Sequence, residues 1–375
     1  MVSWIRWFVR CLAVGWATST LPAFSLLDWN VGGNGATEWD PTSPQVAAIG
    51  HQVQHVNADI ITLQEIPYPF SDRMPAFVAT YLPGYHLAIN SGTDGYIRSA
   101  ILSRYPVNRS QKWLDGVPLD AFGYAGNFTR DLFEAEIAVP GFDTPVHIFT
   151  THLKSGSEVS SATRRGAEAG AISNFFVNVF LPQHPDRPYA LTGDFNEDVE
   201  RPGSNSRDAV PRLANDFTGL RLTRPTNPFT GSERTWPSGG EVVFVRFDYI
   251  LPSASLYARV FRSEVFRASR LSPPPPPLQP GDEALASDHL PVLMIFRNPD
   301  NRPFALTLRS TGEGPARLQE LIWPAWPGYT YQVLRSTDLQ HWFVETTFSP
   351  AGGSEAAWPV ETTDPRRFLQ VRRIP

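Results

Sequence analysis

Six short strings hold residues able to do acid–base and cation chemistry, and all but one lie where an apolar run stops or starts. Asn30 closes the run from Phe24, and Glu65 follows Ile60–Gln64. His152 falls in Thr151-His152-Leu153-Lys154, and Asp194 and Asn196 fall in Gly193-Asp194-Phe195-Asn196. Asp248 interrupts the apolar stretch Val242–Leu251, and Asp288 and His289 precede Val292–Phe296. A buried strand that ends in an unpaired carboxylate is costly to fold. The six endings make sense together if they meet at one rim, where a cation and a polar substrate neutralise them. Oxygen-rich donors suit a hard divalent cation. A carboxylate that holds one imidazole nitrogen fixes the tautomer and favours the charged ring.

Taken singly, each residue has an ordinary structural role open to it. Glu65 fits a solvated loop, and His152 fits a core histidine satisfied by backbone. Asp194 and Asn196 are two apart, so they share one face of an extended chain or form an Asx turn. Asp248 needs a partner within its apolar stretch, and His289 is a candidate. Asp288 fits a helix or turn cap.

The elements that must position these residues alternate along the chain. Strands are expected at Phe24–Asn30, Ile60–Gln64, Ala100–Ser103, Phe133–Val139, Val146–Leu153, Tyr189–Thr192, Val242–Leu251 and Val292–Phe296. In Val146–Leu153, Val146, Ile148, Thr150 and His152 share one face. Thr42-Ser43-Pro44 offers a cap and a first-turn proline for a helix bearing Val46, Ile49, Val53 and Val56. Ser157–Phe180 reads as a long helix with Ile172, Phe176, Val179 and Phe180 on its apolar stripe. Strands outnumber helices and many follow one another directly, which favours sheets packed face to face with helices outside. Ser272–Pro280 is nearly all proline and is read as a rigid surface loop inside the domain, because Asp288-His289 follows it.

In chain order, Trp29-Asn30-Val31, Leu63-Gln64-Glu65, Ile101-Leu102-Ser103-Arg104, Thr151-His152-Leu153-Lys154, Gly193-Asp194-Phe195-Asn196, Phe247-Asp248-Tyr249-Ile250-Leu251 and Ser287-Asp288-His289-Leu290-Pro291-Val292 resemble the motifs of the endonuclease/exonuclease/phosphatase superfamily. That superfamily includes deoxyribonuclease I, abasic-site endonucleases, neutral sphingomyelinases and inositol polyphosphate 5-phosphatases. The resemblance spans residues 24–298 and implies an α/β fold, a four-layer sandwich with two central mixed sheets. It further implies that Glu65 binds Mg²⁺ or Mn²⁺, with Asn30 and Asp288 in or near the shell. Asp194 would orient or deprotonate the attacking water, and Asn196 would fix the nucleophile or a phosphate oxygen. His152 would donate to the phosphate. His289, oriented by Asp248, would act as general base or stabilise the charged transition state. The resemblance does not divide the base role between Asp194 and His289. Arg130 is either a phosphate-binding fork or a surface ion pair, with Asn127 and Tyr124 as neighbouring candidates. Arg164-Arg165 either meets an anionic substrate or forms a solvated helix face.

Charge narrows the substrate. Lys and Arg number 32 against 37 Asp and Glu, a net charge of -5, which excludes a global basic coat for nucleic acid. Lys112 and Lys154 are the only lysines. The single cysteine, Cys11, excludes disulfides within one chain and cysteine-based metal sites. Residues 1–23 carry Arg6, Arg10 and then a short apolar run to Ala23, as in a secretory signal cut near Ala23. Their removal leaves a thiol-free chain suited to a secreted or periplasmic location. The expected product is a metal-dependent phosphoesterase, a phosphodiesterase or nuclease first, acting on a phosphate-ester substrate as a monomer without an obligate protein partner. A phosphomonoesterase, a lipid phosphodiesterase and an exported non-catalytic binding protein on the same fold stay open.

Residues 303–375 lack ligand-type clusters. Short alternating runs at Phe304–Leu308, Tyr329–Leu334, Trp342–Thr347 and Phe368–Val371, separated by turns, indicate a small β-sandwich module. The domain boundary is expected at Asn298–Arg302. Trp323, Trp326, Trp342 and Trp358 fit either a core or a sugar- or partner-binding face.

Overall fold

The computed structural model describes residues 22–32, 38–68, 70–90, 96–238, 240, 242–297, 306–311, 318–325, 330–349, 355–360 and 368–374. Residues 1–21 of the signal expected over 1–23, the boundary at 298–302 and Trp326 lie outside these residues.

The strands of the larger part are β1 (Pro22–Asn30), β2 (Ile60–Pro67), β3 (His86–Ile89), β4 (Ile97–Ser103), β5 (Val107–Trp113), β6 (Leu132–Ile137), β7 (Val146–His152), β8 (Tyr189–Asp194), β9 (Asp248–Pro252), β10 (Val260–Val265) and β11 (Val292–Arg297). They form one sheet in the order β10-β11-β1-β2-β4-β3 and a second in the order β5-β6-β7-β8-β9. Each sheet is antiparallel except for one parallel pair, β1 with β2 and β7 with β8. Those two pairs place four carboxyl ends at one rim, and Asn30, Glu65, His152 and Asp194 lie at them.

Helices α1 (Pro44–Val56) and α2 (Met74–Tyr81) cover the outer face of the first sheet, where Leu27, Trp29, Ile61 and Leu63 pack against Ile49, Val53 and Phe77. Helix α3 (Val159–Phe175) covers the outer face of the second, where Phe149 and Leu191 meet Ile172 and Phe175. Between the sheets Phe24, Leu26, Ile60 and Ile101 pack against Ala135, Val146, Ile148 and Ile250. The result is four layers: helix, sheet, sheet, helix. The inner faces change character along the strands. Where the site residues gather, Asp28, Thr62, Gln64, Thr150, Thr192 and Asp248 replace apolar side chains, and all are fully buried. Each fully buried aliphatic or aromatic side chain stabilises by ~1.5–3 kcal/mol, so this end forgoes stability that the opposite end retains.

Several local expectations differ. Val242–Phe247 is not a strand; Val242 and Phe244 are exposed, and the segment turns back to bridge Trp236 with Val245. The hydroxyl of Ser43 donates to the carbonyl of Asp40 rather than capping α1, while Pro44 does take the first helical position. The long helix ends at Phe175 and continues as a π turn over Phe176–Phe180. The proline-rich loop lies between Ala268–Arg270 and the one-turn helix Asp282–Ala286, within this part of the chain.

The C-terminal part contains β12 (Thr307–Thr311), β13 (Leu318–Pro324), β14 (Thr330–Ser336), β15 (Phe343–Phe348), β16 (Glu355–Val360) and β17 (Phe368–Ile374), in two three-stranded antiparallel sheets, β12-β13-β16 and β15-β14-β17. Trp323, Tyr331, Val333 and Val371 form its core, and Trp358 packs against it. No helix among the described residues is long and apolar enough to cross a membrane.

Candidate active site

Glu65 reaches the site through a bulge. Leu63 pairs with Ala100 and Ile66 with Arg98, so Gln64 and Glu65 together oppose Ser99. Glu65 takes φ of 62°, and the local kink re-aims its side chain. In a regular strand it would follow Leu63 onto the α1 side. Here it meets Asn30, whose Nδ2 donates to Glu65 Oε1 at 3.0 Å and to Asp194 Oδ2 at 3.0 Å. The Asn30 side-chain oxygen accepts from the Gly32 N–H. Gly32 is needed for this approach, since a Cβ there would lie 2.3 Å from Glu65 Cβ.

Asp194 is the hub. Its Oδ1 accepts from the Asn196 N–H at 2.8 Å, so the Asx turn and the site coexist. Its Oδ2 faces Asn30, His152 Nε2 at 3.5 Å and His289 Nε2 at 3.8 Å. Asn196 spends its side-chain amide on the Leu153 carbonyl, at 3.2 Å. Gly193 lets β8 approach β7 here: a Cβ would lie 1.8 Å from the Thr151 carbonyl oxygen.

Asp248, at the first position of β9, accepts from His289 Nδ1 at 2.9 Å. The backbone of His289 is held twice. Trp29 Nε1 donates to its carbonyl, and Ser287 Oγ accepts its N–H while donating to the Asn30 carbonyl. Asp288 turns partly aside: its Oδ2 accepts from Trp236 Nε1 at 3.0 Å, and its Oδ1 is 3.9 Å from His289 Nε2.

His152 is buried, and neither ring nitrogen has a hydrogen-bond partner among the described residues. Nδ1 is 3.7 Å from Glu65 Oε1. Arg130 donates to the carbonyls of His152 and Leu153, both at 3.0 Å, so it braces the end of β7. Asn127 is exposed and offers its carbonyl to Arg164, which stacks over Tyr124. Arg165 is buried and binds the carbonyls of Lys154 and Gly156, so it is no solvated helix residue. Glu168, unremarkable in the sequence, is buried and accepts from Thr129 and from the Lys154 N–H. It ties the Arg130 loop to the segment after β7. Only its position on the inner side of α3, one turn from Ala171 and Ile172, hinted at burial.

Among the described residues two sets of donors lie within reach of a common ion: Glu65, His152 and Asp194, and Asp194, Asp248 and His289. The first set fits a divalent cation. It joins two carboxylates to an imidazole whose nitrogens lack other partners, and Glu65 keeps an outward-facing edge. In the second set Asp248 and His289 already satisfy one another. The charges differ accordingly. Burial, with help from the Arg130 charge, pushes His152 well below its ordinary value, so it is neutral. Burial also acts downward on His289, but the charges of Asp248 and Asp194 overcome it and lift the ring to about 10. Burial raises Asp194, opposed by the His289 charge and reinforced by Asp248. The site thus sets one neutral imidazole and one charged imidazole on either side of one carboxylate.

A family model described as the Endonuclease/Exonuclease/phosphatase family matches residues 29–289. Comparison with curated proteins gives no match. Among solved structures, truncated TDP2 of Caenorhabditis elegans is similar with a TM-score of 0.51 and 20% identity, covering 73% of this chain and 97% of that one. An endonuclease/exonuclease/phosphatase from Beutenbergia cavernae is similar with a TM-score of 0.52 and 16% identity, covering 94% and 96%. The human Nocturnin catalytic domain with bound sulfate is similar with a TM-score of 0.51 and 17% identity, covering 73% and 93%. At these identities the likeness is one of fold.

Proposed function

The chain belongs to the endonuclease/exonuclease/phosphatase family, and we propose that it is an exported phosphodiesterase that uses Mg²⁺ or Mn²⁺ to hydrolyse the P–O bond of a nucleic-acid strand, a nucleotide or a lipid headgroup. Members of this family are divalent-metal-dependent phosphoester hydrolases. The observation that carries the reading is Asp194 flanked by His152 and His289, with Asp248 behind the second imidazole.

Hydrolysis of a phosphate ester builds negative charge on the equatorial and leaving oxygens. A cation held by Glu65, beside Asp194, would neutralise part of that charge. His152, neutral and unpartnered, can give one N–H to a phosphate oxygen. His289 rests charged, so it opposes the developing charge and is poorly placed to take a proton first. Asp194 is then the group that orients the attacking water and receives its proton, while Asn30 holds it against Glu65. Such acid–base help is worth typically ~10²–10⁴-fold.

Charge favours a diester over a monoester. The four carboxylates Glu65, Asp194, Asp248 and Asp288 still outnumber the charges of one imidazolium and one divalent cation, so a dianionic monoester meets more repulsion than a monoanionic diester. The acidic net charge disfavours long-range capture of duplex DNA, which leaves short single strands, nucleotides and headgroups. Export rests on the charged and apolar N-terminal run read from the sequence.

The test is turnover of bis-p-nitrophenyl phosphate against p-nitrophenyl phosphate by the purified protein, with Mg²⁺, Mn²⁺ or a chelator. Metal-dependent release from the diester in excess of the monoester is expected. No release from either would favour a non-catalytic binding protein.

A further inference from the structure

Beneath the site the two sheets are joined by polar side chains. Each of the four strands that end in a site residue carries one or more just below it on the inner face: Asp28 before Asn30, Thr62 and Gln64 before Glu65, Thr150 before His152, and Thr192 before Asp194. All five are fully buried. Asp28 Oδ1 accepts from Thr62 Oγ1 and from Gln64 Nε2, both at 2.7 Å. Gln64 Nε2 also reaches Thr150 Oγ1 at 2.9 Å, on the opposite sheet. Thr192 Oγ1, also on that sheet, donates to Thr62 Oγ1 at 2.9 Å. The chain Thr150–Gln64–Asp28–Thr62–Thr192 therefore starts and ends on the second sheet, with Asp28 of the first at its middle.

The same division runs through the site. Asn30 and Glu65 belong to the first sheet, and His152 and Asp194 to the second. Elsewhere between the sheets, apolar side chains set the spacing by shape. At this level the spacing is set by hydrogen bonds, whose lengths tolerate little variation. Apolar filling would stabilise the fold more, so a buried carboxyl and three hydroxyls at this level call for another reason.

We propose that Asp28 is a positioning residue for the reaction. By accepting from Thr62 and Gln64 together, it clamps the two cross-sheet bonds and holds the Asn30–Glu65 half of the site at its working distance from the His152–Asp194 half. Its activity readout rests on the phosphodiesterase reading above; its metal-binding readout does not.

The test compares Asp28→Leu, Asp28→Asn and Thr150→Val in the full chain, by bis-p-nitrophenyl phosphate kinetics, Mn²⁺ affinity from electron paramagnetic resonance, and Tm. Leucine fills the volume and removes the acceptor. With the buried Thr62 and Gln64 donors left short of an acceptor it should lower Tm somewhat, lower kcat about ten-fold or more through misplacement with KM little changed, and weaken Mn²⁺ binding. Asparagine keeps the acceptor oxygen and should restore most of kcat and Mn²⁺ affinity. Thr150→Val keeps shape and loses one cross-sheet bond, so it should move both readouts in the same direction if the leucine variant fails to fold. A folded leucine variant with wild-type kcat and Mn²⁺ affinity would overturn the proposal, as would an asparagine variant impaired equally. If the wild type hydrolyses no diester, the phosphodiesterase reading fails. Mn²⁺ affinity then decides alone, and equal affinity in Asp28→Leu, Thr150→Val and wild type overturns the positioning role.

Discussion

Asp248 and His289 are 41 residues apart, one in a strand of the second sheet and the other in the loop leading into a strand of the first, yet Nδ1 of the imidazole donates to the carboxylate at 2.9 Å with both groups buried. Asp248 opens β9 of the second sheet, and His289 precedes β11 of the first. The pair closes the gap between the sheets at the rim. It points Nε2 of His289 toward Asp194, where the chemistry is proposed to occur.

Replacing Asp248 by Asn keeps the shape and removes the charge behind the ring. The kcat/KM on bis-p-nitrophenyl phosphate should fall by ~10²–10⁴-fold, with the fold intact by circular dichroism. Because Asp248 raises His289, its loss should lower the imidazole's pKa. The alkaline limb of the pH–rate profile should then move to lower pH. An unmoved limb would deny His289 its charged role.

Asp28 makes stability depend on pH. Burial pushes its carboxyl up to about 8, with the Asp248 charge adding to the rise and hydrogen bonds from Thr62 and Gln64 opposing it. The folded state therefore holds this proton more tightly than the unfolded chain. Its contribution is fully present below the unfolded carboxyl value and is lost as pH rises toward about 8. An asparagine in its place would not titrate. The Tm of Asp28→Asn relative to wild type should therefore rise from mildly acidic to mildly alkaline pH, as followed by thermal melts across that range. A constant difference would mean the carboxyl does not carry the proton.

Gly32→Ala puts a methyl 2.3 Å from Glu65 Cβ. Overpacking of this kind costs ~1–3 kcal/mol, and here the group that must move is the proposed cation ligand. Both Tm and Mn²⁺ affinity should drop. A fall in Tm alone would separate Gly32 from the metal site.

Glu65→Gln keeps the hydrogen-bonding shape and removes one negative charge from the Glu65, His152 and Asp194 group. Mn²⁺ binding measured by titration calorimetry should weaken by at least ~10-fold, the scale seen when even outer-shell partners of a metal are lost. Unchanged affinity would place the cation elsewhere.

Much of this architecture was legible because it follows from periodicity and short range. The central strands β1, β2, β7, β8 and β11 are buried on both faces and read as apolar runs, and polar residues at their ends announced the rim. In the larger part of the chain the strands that escaped notice, β3, β5 and β10, are all sheet edges, while in the C-terminal part the central β13 and the edge β16 escaped notice as well. Edges carry charge and polarity that blunt pairing, as in Val107–Trp113 with Asn108, Arg109, Gln111 and Lys112. Val242–Phe247 read as a strand from its β-branched and aromatic residues. Buried Arg246, held by the Thr223 carbonyl and by Glu233, fixes it as a loop with Val242 and Phe244 outward. The bulge that re-aims Glu65 left no mark in the sequence, because it depends on register with β4. Arg165 read as a surface helix residue, and Glu168 drew no notice, because their partners come from loops folded back onto α3.

The convergence of two sheets on one cation is tested most directly by anomalous diffraction from crystals grown with Mn²⁺. A single strong peak in contact with Glu65 and beside Asp194 and His152 is expected. A peak remote from all three, or none at saturating Mn²⁺, would contradict the account.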